Sequence, residues 1–235
     1  MFPISDDNSD RTITPYVNYI LIAVNILVFV LLQQIGSNDS FSYAFSLVPK
    51  EITTGVDITG VQVIRDSFGN TGQIPHFATP LPVYFNFLSS MFMHGDIMHI
   101  LGNMLFLWVF GDNLENMLGH IRFAAFYIAC GFIAAAAQIV MDNDSIIPML
   151  GASGAISGVL GGYLLLFPTR RVRALIFNFL TEVPAFVALG LWIGFQIIQG
   201  YFSSSETGGV AYTAHIGGFI AGVVLIKVFA IGRRV

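Results

Sequence analysis

Charged residues are scarce in this 235-residue sequence, of which Asp, Glu, Lys and Arg make up 10%. A typical soluble domain carries about 25% charged residues. Hydrophobic residues make up 55% of the chain, and the mean hydropathy is +0.74. This balance excludes an ordinary soluble enzyme and indicates a multi-pass membrane protein. The net charge of −4 and the lack of a basic run argue against a nucleic-acid partner.

Cysteine is nearly absent, since Cys130 is the single one. An intramolecular disulfide is therefore excluded, and a buried, inert thiol is expected in this apolar stretch. The sequence also shows no convincing internal repeat and no low-complexity tract.

Long apolar stretches predict an all-α membrane protein with six spanning helices. A span needs about 20 largely apolar residues. The candidates are residues 17–32, 97–110, 123–141, 153–167, 183–202 and 213–231. The second and fourth are short, so we expect them to stop below a bilayer surface or to lie inside a bundle.

The chain divides into a short polar tail, residues 1–16, and a membrane domain, residues 17–232. The acidic tail is expected to be disordered. No small-residue cleavage site follows the first span, so we interpret that span as an anchor and not as a signal peptide. A long first loop, residues 33–90, precedes the second span and shows no clear period, as functional or disordered loops do.

The distribution of positive charge predicts the orientation. Six spans place both termini on one side, and eight of the ten Lys and Arg residues fall there. They are Arg11, Arg122, Arg170, Arg171, Arg173, Lys227, Arg233 and Arg234. Only Lys50 and Arg65, in the long first loop, fall on the other side. The positive-inside rule therefore places both termini in the cytoplasm.

Polar side chains occur at one depth in three of these spans. Ser153 opens the fourth span, and His215 lies near the start of the sixth. His99 and Asn103 lie in the outer half of the second span. Polar groups inside a membrane are energetically expensive and therefore indicate function.

Small residues recur at every fourth position of the fourth and sixth spans, a pattern that lets helix backbones approach closely in lipid. They are Gly154, Gly158 and Gly162 in the fourth span and Ala214, Gly218 and Gly222 in the sixth. If the two stripes meet, Ser153 and His215 lie side by side. The alternative is that the stripes only pack and that the serine only caps a helix.

A serine beside a histidine favours nucleophilic catalysis, because a neutral imidazole can accept the hydroxyl proton. Ser153 opens a helix, where free backbone N–H groups favour an anion. His99 and Asn103 are spaced i, i+4, so they share a helix face and can add side-chain donors. No carboxylate is placed to orient His215, so the pattern favours a dyad over a triad.

Other interpretations of these residues are weaker. The sequence GASGA partly matches the hydrolase elbow G-x-S-x-G, which requires a strand–turn–helix. His94, Asp96 and His99 could suggest a metal site, but the two histidines are five residues apart and do not share a helix face. His94 is expected to be structural. A transporter is disfavoured because no inverted repeat is apparent.

Four fragments resemble the rhomboid family of intramembrane serine proteases, and the resemblance covers residues 17–231. They are GASG at 151–154, AHIGGFIAG at 214–222, HGDIMHILGN at 94–103 and GDNLENMLG at 111–119. The third fits the H-x4-H-x3-N pattern of the family. Each fragment alone is weak, but their order on alternating spans makes a strong signal.

The resemblance implies a six-span bundle and an endopeptidase with a dyad of Ser153 and His215. The oxyanion would be held by the Ser153 backbone with His99 and Asn103, and His94 matches the first histidine of the pattern. The family cleaves transmembrane substrates near the outer membrane boundary, prefers small residues at the cut, and needs neither metal nor cofactor. Its partners would be substrate proteins and the lipid bilayer, in a bacterial plasma membrane.

The family also suggests a substrate gate, which here would comprise the span 183–202 with Trp192 and Phe195, and the loop 203–212. Two features depart from some bacterial members. Ser157 stands where they carry a tyrosine that packs on the catalytic imidazole, and the first loop lacks their Trp-Arg pair. A catalytically idle membrane binder or chaperone on the same scaffold remains the alternative.

Overall fold

The computed structural model describes residues 2–65, 71–176, 179–202 and 210–233. It is mostly helical, as predicted. The helices are α1 (Tyr16–Leu27), α2 (Asp39–Ala44), α3 (Pro49–Thr54), α4 (Asn86–Ser89), α5 (Ile97–Leu118), α6 (His120–Met141), α7 (Ser153–Leu166), α8 (Ala185–Phe202) and α9 (Tyr212–Phe229). The all-α prediction misses β1 (Phe2–Asp6), β2 (Gly60–Arg65), β3 (Thr71–His76), β4 (Arg171–Ile176) and β5 (Phe179–Pro184).

Four of the described helices, α5, α6, α8 and α9, are long and apolar enough to cross a membrane. Two apolar helical stretches are shorter. One is α7, and the other is Tyr16–Leu32, in which α1 continues through a wider turn over Val28–Leu32. The chain is therefore a membrane protein by the length and composition of its helices.

The predicted second span ends too early, because α5 continues beyond residue 110 to Leu118. Polar residues end the apolar run there, but they are buried and bonded. Glu115 is fully buried and accepts hydrogen bonds from the backbone N–H groups of Val17 and Asn18. Asp112 pairs with Arg11 at 2.8 Å. Through these contacts, the additional turns of α5 bind the start of α1.

The two stripes of small residues meet, as predicted. A Cβ placed on Gly218 would collide with the carbonyl of Gly154, and one on Gly222 with the carbonyl of Gly158. The backbones of α7 and α9 therefore touch along two turns. Gly161, which the prediction left out, faces Phe219 of α9, whereas Gly162 faces α6 and the side of α9. This contact fixes the register of the helices that carry Ser153 and His215.

The amino-terminal tail is not disordered, which corrects the prediction. β1 pairs antiparallel with β4, and β4 pairs with β5, in a three-stranded sheet. Asp6 accepts hydrogen bonds from the hydroxyl of Tyr163 at 2.6 Å and from Nδ2 of Asn113 at 2.7 Å. Burial raises the pKa of Asp6 to about 7. The sheet thus closes the end of the bundle opposite the start of α7.

The long first loop, for which a functional and a disordered loop were both open, contains short helices and the β2–β3 hairpin. It is tied to the segment before α7, because Leu47 and Met149 exchange two backbone hydrogen bonds of 2.9 and 2.7 Å. The backbone N–H of Gly151 donates to the carbonyl of Ser90 at 2.9 Å. These bonds hold the chain just before Ser153.

Candidate active site

Ser153 and His215 lie within hydrogen-bonding distance of each other. Ser153 is the first residue of α7, and His215 lies in the first turn of α9. Ser153 Oγ is 2.7 Å from His215 Nε2. His215 is 9% exposed. The close backbone contact of α7 and α9 accounts for the pairing, because it brings the matched ends of the two helices together.

The other ring nitrogen of His215 contacts a residue that the sequence analysis passed over. Nδ1 of His215 is 2.8 Å from Oε1 of Gln196 on α8. Gln196 is only 7% exposed. A strongly polar side chain in an uncharged, largely apolar helix is a signal of function that could have been recognised in the sequence. Which face of α8 turns inward cannot be predicted from the sequence alone.

Aromatic rings enclose the imidazole from two sides. The ring of Trp192, one turn before Gln196 on α8, lies 6.1 Å from the ring of His215 between centroids. Tyr212 packs edge-on at 6.4 Å. These two rings pack on His215, whereas position 157, four residues after Ser153, carries a serine. Ser157 itself donates its hydroxyl to the carbonyl of Ser153 at 2.6 Å.

His99 and Gly151 border the space beside the Ser153 hydroxyl. A Cβ on Gly151 would lie 2.9 Å from His99 Nε2 and 3.4 Å from Ser153 Oγ. His99 and the serine therefore face the same small volume. Gly151 has φ +132°, a conformation that side chains rarely adopt,. A glycine is required here both for the backbone and for the open space.

Asn103 lies one turn along α5 from His99. Its Nδ2 is buried and has no hydrogen-bond partner among the described residues. Unpaired buried donors are uncommon and need an explanation. Asn103 is therefore free to donate to a bound acceptor.

His94 supports the site through both its backbone and its ring. Gln33, after the end of α1, donates to the His94 carbonyl and accepts from its N–H, each at 2.9 Å. The His94 ring is 1% exposed and meets the His99 ring edge-on at 5.1 Å. Asp96 caps α5 by accepting from the backbone N–H of His99 at 2.8 Å. Asp96 thus acts as the N-cap of α5.

The two predicted gate residues differ in their surroundings. Trp192 faces inward, towards His215, whereas Phe195 is 55% exposed on the outer face of α8. Most of the predicted cap loop, residues 203–209, lies outside the described residues. The predicted start of this span at residue 183 is too early, because Val183 and Pro184 belong to β5.

A small cavity of about 40 Å³ opens beside Ser153. Its walls are mostly small or apolar side chains, among them Ser90, Gly131, Ala134, Gly154 and Ala214. The cavity has room for a small side chain next to the hydroxyl.

Comparison with known proteins gives a consistent result. The family model of the Rhomboid domain matches residues 82–231. Rhomboid protein 1, mitochondrial, of Saccharomyces cerevisiae is 32% identical over 144 residues, which are 58% of this chain and 39% of that protein. Rhomboid-related protein 2 of Mus musculus is 29% identical over 146 residues, or 58% of this chain and 45% of that protein.

A bacterial relative aligns with nearly the whole chain. The Rhomboid protease GluP of Bacillus subtilis is 28% identical over 222 residues, which are 94% of this chain and 37% of that protein. The chain thus spans less than half the length of each of these relatives. The similarity includes the segments that carry Ser153, His215, His99 and Asn103.

Proposed function

The chain belongs to the rhomboid family, and we propose that it is an intramembrane serine endopeptidase. Its substrates would be transmembrane proteins, cleaved near the outer membrane boundary. The observation that carries this proposal is the 2.7 Å contact between Ser153 Oγ and His215 Nε2. The name of the similar Rhomboid protease GluP supports it. A serine–histidine pair in hydrogen-bonding geometry is the arrangement that nucleophilic catalysis requires.

The proposed reaction begins when Ser153 Oγ attacks the carbonyl carbon of the scissile peptide. His215 Nε2 accepts the hydroxyl proton and later transfers it to the leaving amine. The oxygen of the tetrahedral intermediate carries the negative charge. The Ser153 N–H at the start of α7, together with His99 and Asn103, would donate to that oxygen. A water molecule then hydrolyses the acyl-enzyme with His215 as the base.

The proposed topology has six spans in one membrane domain, residues 17–232, with residues 1–16 as a cytoplasmic segment. The long first loop, residues 33–90, would be extracytoplasmic. The site lies at one end of the bundle, and the β1–β4–β5 sheet with its arginines lies at the other. The positive-inside rule then places both termini in the cytoplasm of a bacterial cell, and the site towards the outer face. Water can reach such a site without crossing the hydrocarbon core.

The small cavity beside Ser153 supports a preference for small side chains at the cut. A spanning substrate helix has its peptide groups hydrogen-bonded internally, so it must unwind before attack. Helix-weakening residues such as Gly and Pro near the cut lower the cost of unwinding. We therefore propose substrates with small, helix-weakening residues in the outer part of their span.

The test is cleavage of a reporter membrane protein by the full chain in proteoliposomes. Ser153→Ala and His215→Ala should each lower kcat by at least about 1,000-fold, because the nucleophile and its base act as a unit. Ser145→Ala, which removes a hydroxyl from the loop before α7, is the matched control and should retain activity. Retained cleavage in purified Ser153→Ala would refute the proposal.

The alternative function is a catalytically idle membrane binder or chaperone, as some rhomboid-family proteins are inactive. A fluorophosphonate probe separates the two functions without any knowledge of the substrate. An activated Ser153 would be labelled covalently, and Ser153→Ala would not. Absence of labelling in the folded wild-type protein would favour the idle binder.

A further inference from the structure

The second hydrogen bond of His215 has a direct chemical consequence. A neutral imidazole carries one proton, on either Nδ1 or Nε2. To accept the proton of Ser153, Nε2 must hold a lone pair, so the proton must be on Nδ1. Oε1 of Gln196 lies 2.8 Å from Nδ1 and can accept that proton's hydrogen bond. The contact therefore favours the tautomer that catalysis needs.

We propose that Gln196 is a positioning residue that holds His215 as the Nδ1–H tautomer, a role that carboxylates fill in serine protease triads. This inference rests on the proposed function, because it assigns Gln196 a part in the same reaction. Gln196 does not contact the reacting atoms. It acts through His215, by fixing the position of the proton and the plane of the ring.

The location of Gln196 explains why the acceptor is an amide. Gln196 is 7% exposed and lies on α8, which has no charged side chain along its whole length, Ala185–Phe202. A carboxylate buried in a membrane helix is expensive. A neutral amide oxygen can accept from Nδ1–H in the resting enzyme and still accept when His215 becomes the imidazolium. The amide thus serves both states of the reaction without a permanent buried charge.

The same helix also controls the ring plane. Trp192 lies four residues before Gln196, so the two side chains project from one face of α8. The Trp192 ring is inclined by 34° to the imidazole, and its centroid is 6.1 Å away. Together, the amide and the indole make α8 the element that orients the base. α7 supplies the nucleophile and a backbone N–H for the oxyanion.

The test uses Gln196→Met in the full chain, because methionine is unbranched and of similar length but accepts no strong hydrogen bond. We expect kcat for a reporter substrate to fall about 10- to 100-fold, since the buried Nδ1–H loses its acceptor. KM should change less than about threefold, because Gln196 touches no substrate atom. Gln196→Glu retains an oxygen acceptor and should recover most of the lost activity. Gln199→Met makes the same change three residues further along α8 and should keep wild-type kcat.

A spectroscopic measurement does not depend on turnover. Nitrogen NMR of ¹⁵N-histidine-labelled protein, with His215→Ala used for assignment, reports which ring nitrogen of His215 carries the proton. We expect Nδ1–H in the wild type and a shift towards Nε2–H or a mixture in Gln196→Met. Nε2–H in the folded wild type would overturn the proposal, because the amide would then be the donor. Gln196→Met with wild-type kcat, or an equal loss in Gln199→Met, would overturn it as well.

The two proposals fail in distinguishable ways. If the wild type neither cleaves the reporter nor reacts with the fluorophosphonate probe, the protease assignment fails. The NMR result still shows whether Gln196 holds His215 as the Nδ1–H tautomer. If Ser153→Ala abolishes cleavage but Gln196→Met does not lower kcat, only the positioning role fails. If Gln196→Met also lowers the thermal stability, the comparison with Gln196→Glu tests the acceptor role. That role requires a higher kcat in Gln196→Glu than in Gln196→Met when the folded fractions of the two variants are equal.

Discussion

Glu51 offers a quantitative test of the first loop, because its carboxyl group is buried beside a second carboxylate. Glu51 lies on α3 and is 3% exposed. It accepts a hydrogen bond from the backbone N–H of Ile58 at 3.0 Å. Burial, with a contribution from neighbouring Asp57, raises the pKa of Glu51 from its ordinary value of 4.5 to about 7. Asp57 in turn accepts from the N–H of Thr79 at 2.7 Å, at the base of the β2–β3 hairpin.

The sign of the effect follows from proton binding. Below pH 4.5, the folded and the unfolded chain both hold the Glu51 proton. Between pH 4.5 and about 7, the unfolded chain has lost it and the folded chain has not, so the free energy of unfolding falls as the pH rises,. Each pH unit in this window costs about 1.4 kcal/mol. The carboxylate of Glu51 should therefore make the folded protein up to about 3 kcal/mol less stable at pH 8.5 than the protonated acid does.

The variant Glu51→Gln removes this penalty while it keeps an acceptor for Ile58. In detergent at pH 8.5, it should raise the Tm by about 5–10 °C over wild type, and at pH 4 the two should melt together. Because other groups also titrate, the quantity to measure is the difference in Tm between variant and wild type at each pH. Asp144→Asn, which neutralises an exposed carboxylate in the loop before α7, is the matched control and should show no such pattern. A Glu51→Gln difference that is independent of pH would refute the reasoning.

Two glycines give further tests of the packing around the site. Gly151→Ala places a methyl group beside His99 Nε2 and Ser153 Oγ, at a backbone φ of +132°. Both kcat/KM and the rate of fluorophosphonate labelling should therefore fall about 100-fold. An unchanged labelling rate would count against an open oxyanion space there. Gly218→Ala forces a methyl group into the Gly154 carbonyl, whereas Gly194→Ala on α8 meets nothing within 4 Å. The first should lower the Tm by more than about 5 °C and the second should not, and equal effects would mean that α7 and α9 do not touch as described.

The packing of α7 on α9 could be predicted from the sequence because small residues at every fourth position have one strong physical consequence in lipid. The end of α5 could not be predicted from the sequence. A hydropathy profile ends the span at Asp112 and Glu115, because it does not include their tertiary contacts. Arg11 pairs with Asp112, and the start of α1 donates to Glu115. β1 was missed because five residues carry little local signal, and its pairing with β4 is decided by tertiary contacts. In β4, the buried residues Val172 and Ala174 alternate with arginines, a two-residue period that is typical of a strand. The sequence analysis used these arginines only to predict the orientation in the membrane.

The candidate site was predictable to the extent that each residue had its own signal. The shared depth of Ser153 and His215 is evident from the sequence, and their side chains lie 2.7 Å apart. Gln196 was harder, because its depth is clear from the sequence but the rotation of α8 is not. Only packing against α9 turns this amide, and not the neighbouring Gln199, towards the imidazole.

The distribution of buried charge explains why a neutral acceptor fits this site. Glu115 and Asp112 are buried carboxylates, but both lie near the closed end of the bundle, where Arg11 and free N–H groups of α1 compensate them. His215 Nδ1 is bonded to the amide of Gln196, and the ion pairs formed by the described residues all lie away from this contact. On the proposed mechanism, the imidazolium and the oxyanion form together and next to each other, so the site stays neutral overall. A permanent carboxylate would stabilise the imidazolium, but it would burden every resting molecule with about 2.5–3.5 kcal/mol of insertion cost. A neutral amide gives up part of that stabilisation and keeps the resting helix compatible with the membrane.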